Sequence, residues 1–247
     1  MENNTYQQNP TYLGTEDVSS VRTFLASVFS NMALALVLSG VMAWWFGHSP
    51  ELMAKLYTID MAAGTAKLNI LGWVVMLAPL GLVFAMSGLV NRLSGTALLL
   101  LFIGYSIVSG ISLSFIFLTY TESSIARVFF MAAGLFAVMA VAGYTTKTDL
   151  SKLGSILFIG LIGIIVASLI NMFIGSSTMD YIISILGVII FTGLTAYDMQ
   201  KLKRIGETVA TGSEGAQKMA LMGALTLYLD FINLFLMLLR LFGGRRD

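Results

Sequence analysis

The sequence predicts an all-α integral membrane protein with seven transmembrane helices. Of its 247 residues, 57% are hydrophobic and only 11% are charged, whereas an ordinary soluble domain carries about 25% charged residues. Crossing roughly 30 Å of hydrocarbon takes about 20 mostly apolar residues. Seven runs meet this requirement, and they lie near 23–46, 70–90, 96–118, 128–144, 154–174, 181–200 and 219–242.

The connections between these runs are short except for 47–69 and 201–218, and one compact bundle is the simplest interpretation. A polar N-terminal tail covers 1–22, the seven-helix membrane domain covers 23–242, and a short C-terminal tail covers 243–247. The first apolar run is too long for a signal peptide and is expected to stay in the membrane. Neither the N-terminal tail nor the long 47–69 loop carries a motif that indicates a function.

Several runs contain polar or small residues that have a structural interpretation. Trp44 and Trp45 lie at the end of the first run and His48 just follows it, a pattern typical of an aromatic belt at the membrane interface. The small residues of 160–163 in the fifth run favour close helix packing in lipid. The third run carries three polar residues that we interpret as packing contacts between helices: Tyr105, Ser109 and Ser112.

Lysine and arginine are distributed unequally between the two sides of the bundle. The loops on the N-terminal side hold eight of them and the opposite loops three, with the C-terminal region set aside. Because positive loops stay in the cytoplasm, the N-terminus is expected to be cytoplasmic and the C-terminus outside. Arg240, Arg245 and Arg246 then lie on the less favoured side. A last segment that dips in and returns would instead leave the C-terminus inside.

The composition also excludes several classes of site. With no cysteine and a single histidine, the chain cannot build thiolate or multi-histidine metal sites. Any ion would therefore meet oxygen ligands, and no cofactor is expected. The formal net charge is +1, and no basic tract is interleaved with aromatics, so we expect no nucleic-acid partner.

Two aspartates are the candidate site, because an ionisable group at the centre of a membrane helix costs at least about 2.5–3.5 kcal/mol. Asp230 lies in the middle of the last run, and Thr226, Asp230 and Asn233 form one polar stripe at i, i+4 and i+7. Asp198 closes the sixth run, and no helix breaker follows it. The two aspartates could therefore meet at a similar depth. Arg92, on the same side, is a candidate counter-charge.

A structural interpretation of each residue stays open. Asp198 would then be interfacial, Asp230 a buried hydrogen-bonding group, and Arg92 a charge that sets topology. If the aspartates do meet, two ionised carboxylates about 4 Å apart, at an effective dielectric constant near 20, repel by roughly 4 kcal/mol. Such a pair shares one proton, and we expect it to respond to pH between about 6 and 8.

Paired aspartates on consecutive membrane helices are also typical of an intramembrane aspartyl protease. In that family the second aspartate belongs to a Gly-x-Gly-Asp sequence followed by a Pro-Ala-Leu segment. Here the second aspartate ends the sequence LYLD at 227–230, and no proline follows it. We therefore expect that the chain is not an enzyme and keep the protease as a distant alternative.

Three segments closely resemble the transmembrane Bax inhibitor motif family, and its bacterial branch is the most similar. The most specific is ALTLYLDFINLF at 224–235, which is followed by LLRLFG at 238–243. The others are AYDMQKLK at 196–203 in the sixth run and VSGISL at 108–113 in the third. The resemblance covers the membrane domain and leaves out the N-terminal tail and the 47–69 loop.

The resemblance implies two three-helix layers around a central C-terminal helix, and a pH-sensitive leak of calcium ions across the bacterial cytoplasmic (inner) membrane. Asp198 and Asp230 would sense protons and bind calcium transiently, Arg92 would latch them, and Thr226 and Asn233 would support them. Some bacterial members modulate a membrane-bound ATP-dependent protease. A non-conducting regulator of such a protease is therefore the alternative function.

Overall fold

A computed structural model describes residues 13–60, 65–210 and 212–246. Seven of its helices, with α4 and α5 counted as one span, are long and apolar enough to cross a bilayer, so the predicted all-α membrane fold is confirmed. The elements in chain order are α1 (Leu13–Gly47), α2 (Pro50–Leu56), β1 (Tyr57–Asp60), β2 (Thr65–Leu68), α3 (Ile70–Leu89), α4 (Gly95–Leu113), α5 (Ile116–Thr119), α6 (Glu122–Thr145), α7 (Ser151–Ile174), α8 (Ser177–Thr208) and α9 (Glu214–Phe242).

Most helix bounds extend beyond the predicted apolar runs. Helix α1 begins at Leu13, within the predicted polar tail, of which 1–12 lie outside the described residues. Helix α8 continues past Asp198 to Thr208, as predicted. The third run is interrupted at Ser114, whose hydroxyl donates to the carbonyl of Ile111 at 2.7 Å. The backbone N–H of Ser114 donates to the same carbonyl at 3.2 Å, in a tight turn that separates α4 from α5.

The long helices form two groups of three around α9. Helices α3 and α1 both pack on α4, and α6 and α7 both pack on α8. Helix α9 contacts α1, α4, α6 and α8. In its most apolar stretch 67% of the residues are buried, against 11% in α3 and in α7, which identifies α9 as the central helix.

Glycines allow α8 to approach its neighbours closely. A Cβ at Gly143 of α6 would collide with the backbone carbonyl of Ala196. A Cβ at Gly154 of α7 would meet the ring of Tyr197 at 2.5 Å. Because backbone atoms cannot move away as a flexible side chain can, the α6–α8 contact requires glycine. These contacts position the part of α8 that carries Asp198.

The bundle has two ends that are tied by different contacts. At the N-terminal end, which holds the turns 90–94 and 146–150 and the start of α9, the carboxylate of Glu214 accepts the backbone N–H of Gly95 at 3.0 Å. At the C-terminal end, the backbone N–H of Thr121 donates to the carbonyl of Gly244 at 3.0 Å. Helix α9 runs without a break from one end to the other, so the geometry favours seven crossings over a last segment that returns.

The described parts of the 47–69 loop, 47–60 and 65–69, lie at the C-terminal end of the bundle. They contain α2 and an antiparallel hairpin in which Tyr57 pairs with Leu68. The side chain of Asn69 accepts the N–H of Gly72 at 2.9 Å and donates to the carbonyl of Lys55 at 2.8 Å. Asn69 thereby caps α3 and attaches α2 to its first turn.

Candidate ion and proton site

The structure brings the two predicted aspartates together. Asp198 on α8 and Asp230 on α9 are 9% and 5% exposed, and their carboxyl groups lie within hydrogen-bonding range of each other. An ionised carboxylate can only accept hydrogen bonds. A hydrogen bond between these two groups therefore requires that one of them hold a proton.

Hydrogen bonds and positive charges from the rest of the protein only partly satisfy the two buried carboxyl groups. Within the described residues, the buried Oδ2 atom of Asp230 has no hydrogen-bond partner. The positive charge that acts on Asp198 is that of Lys201, one helical turn further along α8, and Lys201 is itself exposed. A buried carboxyl oxygen without a donor is available to a proton or a cation.

Arg92 does not reach the aspartates in this conformation. It lies in the exposed turn between α3 and α4, and its backbone N–H donates to the carbonyl of Leu89 at 2.8 Å. In the part of the chain that the structure describes, its guanidinium makes no ion pair. The turn lies at the N-terminal end, beside the start of α9, so Arg92 is on the side that the sequence predicts.

The two other residues of the polar stripe use their donors within α9. The hydroxyl of Thr226 donates to the carbonyl of Met222 at 3.1 Å, and the amide of Asn233 donates to the carbonyl of Leu229 at 2.8 Å. Both bonds run to the preceding helical turn. Neither donor is directed at the carboxyl group of Asp230, which leaves the aspartate pair as the polar centre on this face.

A second polar contact holds α9 on its other side. The hydroxyl of Tyr228 lies 2.8 Å from the hydroxyls of both Ser39 on α1 and Ser109 on α4. The hydroxyl of Ser39 also lies 2.7 Å from the carbonyl of Ser106. We call these four residues the Tyr228 clamp. All four are buried, and Tyr228 is 0% exposed.

The direction of each hydrogen bond in the clamp follows from its acceptors. The carbonyl of Ser106 can only accept, so Ser39 uses its proton there and must accept from Tyr228. Tyr228 has then used its proton and must accept from Ser109. The chain therefore runs Ser109 to Tyr228 to Ser39 to Ser106. Every hydroxyl proton in the clamp is used.

The clamp and the aspartate pair lie on opposite faces of α9. Residues two positions apart in an α-helix differ by about 200° around the axis. Tyr228 thus faces α1 and α4, whereas Asp230 faces α8. The central helix is held by hydroxyl groups on one side and by carboxyl groups on the other.

The sequence indicated only part of the clamp. The sequence predicts a packing role for Ser109 and for Tyr105, whose ring centroid lies 5.4 Å from that of Tyr228 in an edge-on contact. The sequence pattern does not single out the other three members, Tyr228, Ser39 and Ser106. A tyrosine in the middle of an apolar run is itself a signal, because its hydroxyl needs a partner when it is buried.

Beyond Asp198, α8 fixes the loop between α6 and α7. Gln200 donates to the carbonyl of Thr148 at 2.8 Å and accepts the N–H of Leu150 at 2.9 Å. Arg204 pairs with Asp149 at 2.9 Å. Hydrogen bonds from Ser151, and then the Arg204 contact, lower the pKa of Asp149 to about 2. Because of these contacts, a movement of α8 near Asp198 would also displace the loop between α6 and α7.

The pair could hold a cation only weakly. Calcium takes 6–8 oxygen ligands, and among the described residues no group of three or more acidic, histidine or cysteine side chains surrounds a common point. Two carboxylates can share a proton, or can contribute a few oxygens to a cation in transit. They do not form a storage site.

Seven spanning helices around a buried pair of carboxyl groups define a polytopic α-helical membrane protein with an acidic site within its span. The chain belongs to the Bax inhibitor family, since the family model described as Inhibitor of apoptosis-promoting Bax1 matches residues 21–247. The resemblance seen in the sequence is therefore confirmed.

Curated bacterial relatives match most of the chain. The inner membrane protein YbhL of Escherichia coli (strain K12) is 43% identical over 229 residues, which are 92% of this chain and 94% of that protein. A Borreliella burgdorferi protein is 45% identical over 224 residues, 91% of this chain and 93% of its own. A membrane protein of Streptococcus pyogenes serotype M6 is 45% identical over 162 residues, 66% of this chain and 69% of its own.

Proposed function

We propose that this protein is a pH-sensitive calcium leak of the bacterial cytoplasmic membrane, gated by Asp198 and Asp230. The observation that carries the proposal is the facing pair of carboxyl groups, both buried between two membrane-spanning helices. The name of the Escherichia coli relative places that protein in the inner membrane, which supports the same membrane for this chain.

The free-energy cost of burying two carboxyl groups favours a functional role for the pair over a purely structural one. An aspartate near a bilayer centre costs at least about 2.5–3.5 kcal/mol, and neither carboxyl group here is neutralised by a buried cation. A purely structural contact between α8 and α9 could be made by neutral side chains at a lower cost. Burying two acids together is understandable if their protons or a bound cation are exchanged during function.

The pair would act as a two-state element. With one shared proton, the carboxyl groups hydrogen-bond and hold α9 against α8. With no proton, two negative charges about 4 Å apart repel by roughly 4 kcal/mol at an effective dielectric constant near 20. The helices must then separate, or a cation must enter between the charges. A change in one proton thus selects between two arrangements of the bundle.

Calcium fits this site as cargo rather than as a resident ion. It prefers oxygen ligands, and carboxylates are its usual anionic partners in proteins. Because the pair offers only part of a coordination shell, bound calcium would keep water and leave quickly. Weak binding suits a leak, in which an ion must enter and also depart.

Calcium efflux from liposomes tests the proposal. Purified protein in calcium-loaded liposomes should release calcium faster than protein-free liposomes, and Asp230→Asn should change that rate. Asp180→Asn is the matched control, because Asp180 is a carboxylate at the far end of α8 that pairs with the amide of Asn171 at 2.7 Å. Efflux no faster than from protein-free liposomes would contradict the leak and favour a non-conducting regulator of a membrane-bound protease.

A further inference from the structure

The single histidine of the chain makes two contacts that fix its charge. Beyond the aromatic belt that the sequence predicts, the His48 ring lies between the end of α1 and the start of α6. Its Nδ1 atom is 2.8 Å from the carbonyl of Trp44, and its Nε2 atom is 3.0 Å from the carboxylate of Glu122. A carbonyl and an ionised carboxylate can only accept hydrogen bonds. Both ring nitrogens must therefore donate, which requires a positively charged imidazolium.

The surroundings of His48 agree with this assignment. The hydrogen bond to Glu122 raises the pKa of His48 above its usual 6.5, and the bond to the Trp44 carbonyl raises it further. The positive charge of Arg246 in the C-terminal tail lowers it in part. The neighbouring helix α5 contributes the ring of Phe117, 5.2 Å away, and no titratable group. The charged groups that act on the imidazole are thus Glu122 and Arg246.

The same region is where the C-terminal tail is fastened. The backbone N–H of Gly244 donates to the hydroxyl of Ser124 at 2.7 Å, and that of Arg246 donates to the carbonyl of Thr119 at 3.0 Å. The guanidinium of Arg246 also reaches the carbonyl of Phe117 at 3.3 Å. The tail therefore lies across α5 and the start of α6. The end of α9 is attached next to the His48–Glu122 pair.

We infer that His48 and Glu122 form a second proton-binding site, at the C-terminal end of the bundle, that clasps α1 to α6 when the histidine is protonated. The clasp joins the two three-helix groups, since α1 belongs to one and α6 to the other. It lies at the opposite end of the bundle from the N-terminal turns, so it samples the compartment that those turns do not face. The inference does not depend on whether the protein conducts calcium.

The pH dependence of the clasp has a definite sign. A histidine whose pKa is raised in the folded protein contributes its stabilisation fully below the unfolded value of 6.5. The contribution is lost as the pH rises through the raised pKa. Above it, the neutral ring keeps a single N–H, so only one of its two acceptors still receives a hydrogen bond and the charge attraction to Glu122 is lost. The clasp should be closed in mild acid and open in alkali.

Nuclear magnetic resonance can read this site directly, because His48 is the one histidine in the chain. Protein labelled with ¹⁵N-histidine, purified through a histidine-free tag and held in nanodiscs, should show both ring nitrogens protonated at pH 6 and a titration midpoint above 6.5. Glu122→Gln should lower that midpoint. Glu51→Gln, which removes an exposed carboxylate three residues from His48, should leave it unchanged. A midpoint at or below 6.5, or one that Glu122→Gln does not move, would overturn the site.

A distance measured between α1 and α6 tests whether the His48–Glu122 pair holds these two helices together. The chain has no cysteine, so spin labels can be placed at Val41→Cys on α1 and Phe130→Cys on α6, both of which are exposed. Their distance distribution should lengthen or broaden between pH 6 and pH 9. In a His48→Gln background, which keeps both aspartates of the other site, it should stay the same. A distribution that does not change in the parent protein, or that still changes with His48→Gln, would show that the pair does not clasp the helices.

Discussion

At the scale of single residues, Tyr228 illustrates how much a buried hydroxyl can contribute in a membrane protein. Hydrogen bonds between membrane helices are worth about 0.6 kcal/mol on average and about 1.7 kcal/mol at most. Tyr228 makes two such bonds, to helices that belong to the first three-helix group. Its hydroxyl is therefore expected to contribute about 1–3 kcal/mol to the packing of α9.

Replacing Tyr228 by Phe tests that value. The substitution keeps the ring and removes the bridging hydroxyl, so Ser109 loses its acceptor and Ser39 loses its donor. We expect a loss of about 1–3 kcal/mol, seen as a lower midpoint of thermal unfolding in detergent. Tyr181→Phe is the control, because Tyr181 is 60% exposed. Equal midpoints for the two variants would mean that the clamp adds nothing to stability.

Arg92 carries a second prediction at this scale. As a latch, it would stabilise the ionised aspartates and hold the pathway shut, so Arg92→Ala should raise calcium efflux at neutral pH. Since Arg92 lies in an exposed turn, its pairing requires that the α3–α4 turn move toward the aspartates. Unchanged efflux from a folded Arg92→Ala protein would make Arg92 a topology charge only.

The aspartate pair and the Tyr228 clamp differ in how well they can be predicted from the sequence. Asp198 and Asp230 stand out because carboxylates are rare in apolar runs, and their cost there demands an explanation. The partners of Tyr228 lie on distant helices. A serine in a membrane helix can equally well bond the carbonyl of its own preceding turn, as Ser106 does to Phe102. The pattern alone therefore cannot assign Ser39 to Tyr228.

At the scale of helices, the α6–α8 contact depends on one glycine. Alanine at Gly143 would place its Cβ against the backbone carbonyl of Ala196, two residues before Asp198. Overpacking of this kind costs about 1–3 kcal/mol, and here it would push α8 away. We expect Gly143→Ala to lower the unfolding midpoint.

Gly134→Ala is the matched control for Gly143→Ala. It lies on the same helix, and a Cβ there meets no atom within 4 Å. Alanine favours a helix over glycine by about 0.8–1.0 kcal/mol, so Gly134→Ala should leave the midpoint unchanged or raise it. If both variants behave alike, the close approach of α6 and α8 is not what Gly143 provides.

Helix positions were largely predictable, but their ends and the loops were not. An apolar run indicates where hydrocarbon can surround a helix, whereas α1 begins ten residues before its run and α8 extends beyond its run at both ends. The 47–69 loop folds into α2 and a hairpin that pack on the first turn of α3. Such short elements are stabilised by tertiary contacts rather than by their own propensity.

At the scale of the whole molecule, the first and last described residues, Leu13 and Arg246, lie at opposite ends of the bundle. Helix α1 starts at the N-terminal end, and the C-terminal tail is bound at the other end beside Thr121. With the C-terminal region set aside, eight Lys and Arg lie on the N-terminal side and three on the other, so the N-terminus should be cytoplasmic. A reporter fused after Asp247 should therefore be active only in the periplasm. A cytoplasmic signal would contradict the proposed orientation.

The central claim is that Asp198 and Asp230 form the proton sensor of a calcium leak, and the pH profile of efflux tests it most directly. Calcium release from liposomes should change several-fold between about pH 6 and pH 8, the range in which the sequence predicts that the pair exchanges its shared proton. Asp198→Asn and Asp230→Asn should each flatten the profile, since either variant leaves only one titrating group. A flat profile in the parent protein, or a full pH response in both variants, would contradict the claim.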